Sequence, residues 1–228
     1  MSAPRVAIII VTYNSRPHFA RLKAALAAQT VPFALIVVDN ASAPLERPRA
    51  DDFPDGARII QHEANLGFAA ANNRAAALFD GEFIALLNPD AFPQPDWLAE
   101  LLDAAARWPN AAAFGSTQIA ANTPERYDGL GDCYSAAGFP WRGGFGWPAS
   151  VPALEGETFS ACAAAALYRN QDWRIAGGFD ERFVSYCEDV DLGFRLRLAG
   201  KVCVQAAKAR VHHVGSASSG RRAGYAVF

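Results

Sequence analysis

Two uninterrupted β-branched runs, "VAIIIVT" at 6–12 and "ALIVVDN" at 34–40, constrain the fold more than any other feature of this chain. A strand with one wet face alternates apolar and polar residues. Runs apolar on both sides belong inside a mostly parallel sheet covered on both faces. Between them "RPHFARLKAALAAQT" places Phe19, Leu22 and Leu26 at helical spacing, which completes a βαβ unit. The alternation continues with a strand "ARIIQ", an alanine-rich helix after Gly67 and a strand "FIALLN" at 83–88. A helix "PDWLAELLDAAARW" follows, opened by Pro95 and Asp96. From 121 to 157 the chain is rich in Gly, Pro and aromatics and has neither period, which predicts a long functional loop. Beyond it the pattern predicts a strand "FSACAAAALYR" and a short helix ending at Gly177-Gly178. A helix over 185–200 and two strands near "KVCVQ" and "ARVHHV" complete the order. With 228 residues, 51% of them apolar, one domain is expected.

Charge and cysteine usage narrow the function classes. A net charge of -2 argues against general nucleic-acid binding, although Leu192 onward carries seven Arg or Lys and no acid. That basic tail suits a solvated surface, a phosphate-bearing ligand or an anionic membrane face. Cys133, Cys162, Cys187 and Cys203 have neither metal-ligand spacing nor the density of a disulfide framework, as in a reducing compartment. The N-terminal apolar run is too short for a secretion signal, and no stretch approaches a membrane span. A cytoplasmic protein is expected, with peripheral contact at a membrane compatible with the tail.

Ligands of open α/β sheets sit beyond the carboxyl ends of the strands, and here those ends are polar. The first strand ends in Thr12-Tyr13-Asn14-Ser15, the second in Asp39-Asn40-Ala41-Ser42 and the fourth in Asn88-Pro89-Asp90. Neither G-x-G-x-x-G nor G-x-x-x-x-G-K-[ST] is present, which excludes the dinucleotide and P-loop modes. Asp39 can accept from a base imide or a ribose hydroxyl, and Tyr13 can lie against a base, although such residues also suit plain turns. Asp90, held after Pro89 at the end of a buried strand, suits a hard cation such as Mg²⁺ or Mn²⁺. A last cluster, "SYCEDVDLGFRLRLAG", puts Glu188, Asp189 and Asp191 in one helical turn. Helix-dipole chemistry accounts for one or two of these acids.

Taken in order, "VTYNS", "DNAS", "NLGFAAANN", "LLNPD", "GGFDERF", "YCEDVDLGFRLRLAG" and "HHVGSAS" resemble the family 2 glycosyltransferases of the GT-A fold, in particular the bacterial rhamnosyltransferase-like subgroup. The resemblance spans residues 6 to 218. It implies an α/β, Rossmann-like single domain with a mixed, mostly parallel central sheet flanked by helices. Residues 1–118 would form the nucleotide-binding half, and 119–228 the acceptor-binding and catalytic half. The implied activity is inverting transfer of a sugar from a nucleotide diphosphate donor, dTDP-L-rhamnose or a UDP-sugar, to an acceptor hydroxyl. Glycan or lipid-linked acceptors of bacterial polysaccharide or lipopolysaccharide synthesis are the implied partners.

Carried over residue by residue, the resemblance gives Thr12, Tyr13, Asn14, Asp39, Gly67, Asn73 and Asn88 to nucleotide binding. Asn88-Pro89-Asp90 stands where many members have Asp-x-Asp, so a weaker dependence on Mg²⁺ or Mn²⁺ is implied. Asp90 is the expected ligand, and the spacing to the second Ser of "HHVGSAS" selects His213 over His212 as its partner. Asp189 matches the family base and Glu188 an orienting neighbour. Asp180 is expected to touch donor or acceptor sugar, while Asp191 is equally well explained by an i,i+4 pair with Arg195. A sugar nucleotidyltransferase would need a Gly-rich basic loop in place of "TYNSRPH". A silent carbohydrate-binding relative would lack Asp189.

Overall fold

The computed structural model describes residues 4–215. The first βαβ unit is β1 (Val6–Thr12), α1 (Arg16–Ala27) and β2 (Ala34–Asp39), followed by β3 (Arg58–Gln61). Helix α2 (Gly67–Ala76) then leads back to β4 (Phe83–Leu87) on the other side of β1. The parallel order β4-β1-β2-β3 therefore reverses direction between β1 and β4. Such a reversal opens a crevice at the carboxyl ends of the two strands.

Both faces of β1 are buried, as its unbroken apolar run requires. Val6, Ile8 and Ile10 pack with Phe19, Leu22 and Leu26 of α1 and with Trp97 and Leu101 of α3 (Trp97–Arg107). Ala7, Ile9 and Val11 face α2 and Leu192 and Leu196 of α5 (Glu188–Leu198). Successive strand residues point to opposite faces, so one run serves two helical layers.

Three features were not visible in the sequence pattern. The first is β6 (Ala111–Ala120), "AAAFGSTQIA", which lacks a β-branched run and is held as a strand by its neighbours. Those neighbours are β11 (Ala165–Arg169) and β12 (Val202–His213). Strand β11 occupies only the second half of the predicted run, and the short helix α4 (Asn170–Ile175) follows it. The second is β12 itself, one strand rather than the predicted two. A register shift between Ala206 and Arg210 absorbs the extra residues, and Thr117 Oγ1 donates to the bulged Ala207 carbonyl at 2.9 Å.

The third is the predicted loop at 121–157, which is structured. It holds β7 (Tyr127–Gly129) beside β6 and a separate hairpin of β8 (Asp132–Tyr134) and β9 (Pro140–Arg142). A further strand, β10 (Gly156–Thr158), lies at the sheet edge, while β5 (Ala91–Pro93) pairs with β12. Three-residue strands are too short to give a period. With these additions the main sheet is mixed: among the described residues it has four parallel and five antiparallel pairings. Among those residues, no helix is long and apolar enough to cross a membrane.

Candidate active site

At the reversal between β1 and β4 the strand ends meet as the sequence pattern implied. Asp39 is 1% exposed; its Oδ1 accepts from the Ser42 backbone N–H at 3.2 Å, and its Oδ2 has no partner. A carboxylate oxygen buried without a donor costs free energy unless a ligand supplies one. Tyr13 is 39% exposed beside it, with its ring available to a base. Asn14 ties the loops after β1 and β2 together, accepting from Ala43 N–H at 2.9 Å while its own N–H donates to Ser42 Oγ at 2.9 Å. Thr12 is buried, and its hydroxyl donates to the Val38 carbonyl at 3.3 Å. Asn88 is half-buried, its backbone N–H donating to the Ala164 carbonyl at 2.8 Å.

Backbone strain gathers around the same edge. Among the described residues, the non-glycine positions with positive φ are Asn14, Ala41, Val184, Tyr186 and Cys187. The last three lie in the turn that delivers α5, which explains why that helix begins at Glu188 rather than at 185. Such conformations cost about 1–3 kcal/mol each and persist where surrounding structure holds them. Gly67, with φ +82°, sits under this turn, where a Cβ would lie 2.6 Å from the Val184 carbonyl oxygen.

A second group forms where β12 ends. His213, 4% exposed, donates from Nδ1 to Asp128 Oδ2 at 2.7 Å, and its Nε2 lies 3.4 Å from Asp90 Oδ1. Adjacent strand residues face apart, so His212 is only half-buried and lies on the side of Arg21. Burial works to lower the His213 pKa, but the hydrogen bond to Asp128 and the nearby Asp90 carboxylate prevail and raise it to about 9. Burial likewise works to raise Asp90, yet the close, positively charged His213 ring holds it below the usual range. His213 Nε2 is buried without a hydrogen-bond partner, so the Asp90–His213 pair could hold a divalent cation. Among the described residues, no group of three or more acids, histidines or cysteines is arranged to hold a metal by itself.

The third group holds the acids that precede "VDLGF". Asp189 is half-buried in the first turn of α5, its Oδ2 accepting from Ala163 N–H and its Oδ1 from Val190 N–H, both at 2.9 Å. Burial raises its pKa against the pull of these donors, so the helix N-terminus does not leave it an ordinary acid. Glu188, 5% exposed with Oε2 unpartnered, is pushed up to about 8 by burial and then by the Asp189 charge. Asp132 on β8 is pushed up to about 8 for the same two reasons, while Ser160 Oγ donates to its Oδ2 at 2.9 Å. Close packing brings these elements together: a Cβ on Gly193 of α5 would lie 2.4 Å from Ser160 Cβ.

Other expected residues are committed to the protein itself. Asn73 donates to the Phe179 carbonyl and Glu181 Oε1 and accepts from Phe179 N–H, so its amide braces the segment around Asp180. Asp180 caps residues 181–183 and pairs with Arg182 at 2.5 Å. Asp191 makes the i,i+4 pair with Arg195 at 2.7 Å. Conversely Asp128, Asp132 and Arg142 reach the site from the segment without sequence periodicity, where spacing gave no signal for them. Ser218 of the "HHVGSAS" motif, and Arg221 and Arg222 of the basic tail, lie outside the described residues.

Residues 7–172 match the family model described as glycosyl transferase family 2. The chain belongs to this family. It is 32% identical over 94% of its length to the N-acetylglucosaminyl-diphospho-decaprenol L-rhamnosyltransferase of Mycobacterium tuberculosis, covering 77% of that protein. With the O-antigen biosynthesis protein RfbC of Myxococcus xanthus it shares 33% identity over 94% of its own length, but only 18% of the larger protein. The GT-A fold of this family 2 glycosyltransferase is shared with solved structures of low identity. Staphylococcus aureus TarS 1-349 matches at TM-score 0.66 and 18% identity over 93% of this chain, which spans 61% of TarS 1-349. The mannosyltransferase PcManGT from Pyrobaculum calidifontis, solved with GDP-Man and Mn²⁺, matches at 0.68 and 18% over 94% of this chain and 58% of its own.

Proposed function

We propose that the protein transfers a sugar, L-rhamnose first among the candidates, from a nucleoside diphosphate donor to a hydroxyl of a lipid-linked or cell-surface glycan. The observation that carries this reading is the separation of two chemistries along one sheet edge. Unpartnered Asp39 Oδ2 and the Asp90–His213 pair gather at the nucleotide side, and a carboxylate anchored by two backbone amides starts α5. Residues 1–118, joined by His213, then hold the donor, while the rest of 119–228 supplies the acceptor side. Support for the second half comes from Phe139, Trp141, Phe145 and Trp147, aromatic rings left exposed on or just after the β8–β9 hairpin.

Asp39 receives hydrogen bonds from the nucleoside, and Tyr13 covers the base. Asp90 and His213 would hold a divalent cation, Mg²⁺ or Mn²⁺, which when bound would offset the charge that develops on the diphosphate leaving group. Asp189 accepts the proton of the acceptor hydroxyl as its oxygen bonds to the anomeric carbon; the carbon–phosphate-oxygen bond breaks on the opposite face and the configuration inverts. Burial raises the pKa of Asp189, which makes it a stronger base than a solvent-exposed aspartate. Glu188, protonated up to about pH 8, adds no second charge next to it.

Thermal shifts with dTDP, UDP and GDP and their sugars test the donor side. A ligand at 100 times its Kd adds about 2.7 kcal/mol of stability. Stabilisation by dTDP-L-rhamnose above the UDP-sugars is expected. A preference for a UDP-sugar would overturn the rhamnose assignment and keep the transferase, whereas no response to any nucleotide would overturn the reading itself.

A further inference from the structure

We propose that Asp128 is a positioning residue: it fixes the ring of His213 so that Nε2 faces the cation beside Asp90, and Arg142 in turn fixes Asp128. The inference rests on the donor-side reading above and extends it to residues from a segment to which sequence periodicity assigned nothing.

The geometry is a chain of contacts. Strand β6 lies between β7 and β12, so Asp128 on β7 and His213 on β12 sit two strand spacings apart, about 9–10 Å. Their side chains close that gap over the end of β6: His213 Nδ1 donates to Asp128 Oδ2 at 2.7 Å. Arg142 Nη1 donates to the same oxygen at 2.6 Å and to the Asp128 carbonyl at 3.4 Å. The Asp128 side chain is 12% exposed and that of His213 5%, so water competes little for these contacts.

A carboxylate can only accept. The proton on Nδ1 is therefore fixed toward Asp128, and Nε2 is the nitrogen left for a metal. Nε2 is buried without a hydrogen-bond partner and lies 3.4 Å from Asp90 Oδ1. A histidine whose far nitrogen donates to a carboxylate is held in one tautomer and one ring orientation and is a more basic ligand. Arg142 has a second effect, since it joins the β8–β9 hairpin to this chain of contacts. The segment carrying the exposed aromatic rings thereby bears directly on the residue that aims His213.

The experiment measures Mn²⁺ binding in the presence of dTDP or UDP, by calorimetry and by loss of the free Mn²⁺ EPR signal. Wild type, Asp128→Ala, Asp128→Asn, Arg142→Ala, His213→Ala and the Asp128→Ala/His213→Ala double variant are compared. Asp128→Ala is expected to weaken Mn²⁺ about 10- to 100-fold, with nucleotide affinity in EDTA unchanged. Asp128→Asn should lose less, because its amide oxygen still accepts from Nδ1–H, and it carries the measurement if the alanine variant fails to fold. Arg142→Ala should fall between wild type and Asp128→Ala. In the His213→Ala background the Asp128 substitution should cost nothing further, since its effect runs through the imidazole. Wild-type Mn²⁺ affinity in a folded Asp128→Ala or Asp128→Asn protein, or an equal loss with and without His213, overturns the proposal and leaves the donor-side reading standing. A wild type that binds nucleotide but no Mn²⁺ overturns both the metal assignment and this proposal.

Discussion

Replacing Asp189 with Asn separates a base from a helix cap, because the contacts of Asp189 set different magnitudes for the two roles. Its two oxygens each accept one backbone N–H, from Ala163 and Val190, both at 2.9 Å. An amide has one acceptor oxygen, so in the variant one of those N–H groups meets a donor, at a cost of about 1–3 kcal/mol. Loss of a buried charge beside Glu188 and Asp132 works in the opposite direction, since that charge helps to raise both their pKa values. Stability should therefore change by no more than about 3 kcal/mol, which for a chain of this size is roughly 6–12 °C in Tm. Loss of the base should lower kcat about 10²- to 10⁴-fold, with nucleotide Kd unchanged. Released nucleoside diphosphate, nucleotide calorimetry and Tm give the three readings. Asp191→Asn is the internal control: its half-buried i,i+4 pair with Arg195 is worth about 0.3–0.5 kcal/mol, and its turnover should match wild type. A fully active Asp189→Asn enzyme would refute the assignment.

The parts of the site legible in the sequence are those whose position follows from a period. Thr12, Asp39, Asn88 and Asp90 end or follow strands whose unbroken apolar runs declare them, and the order β4-β1-β2-β3 brings those ends to one edge. His213 could be separated from His212 by the family spacing to the second Ser of "HHVGSAS", and alternation along β12 lets only one of the two face Asp90. Asp128, Asp132 and Arg142 were illegible because they stand on or beside strands of three residues, each stabilised only by its partner. Asn73 marks another limit: its position was legible, but its hydrogen bonds to Phe179 and Glu181 depend on a contact 106 residues away. The same holds for the acids of α5. Their clustering was plain from the sequence, whereas the upward shift of Glu188 to about 8 depends on tertiary burial.

Further outcomes follow from the same contacts. Asp39→Ala should weaken dTDP or UDP about 10- to 100-fold, the loss of a hydrogen bond to a charged acceptor worth roughly 1.5–3 kcal/mol; unchanged calorimetric affinity would move the nucleoside elsewhere. EDTA should reduce activity without abolishing it, because Asn88 contributes no charge beside Asp90; complete loss on chelation would contradict the weakened metal dependence. Between about pH 4 and pH 8 Glu188 keeps its proton in the fold and gives it up on unfolding, so stability should fall as pH rises, by at most ~1.4 kcal/mol per unit from this group. Urea titrations of Glu188→Gln should show a flatter pH profile, and an unaltered slope would place the titration elsewhere. Gly193→Ala tests how the base is delivered, since the added Cβ would meet Ser160 Cβ at 2.4 Å and the Phe159 carbonyl at 3.0 Å. Helix α5 must then move away from residues 159–160, at about 1–3 kcal/mol, and the Asp189–Ala163 hydrogen bond loosens with it. Turnover should fall in the folded protein while nucleotide Kd stays constant, and a destabilised variant with wild-type kcat would mean that the base does not depend on this close packing.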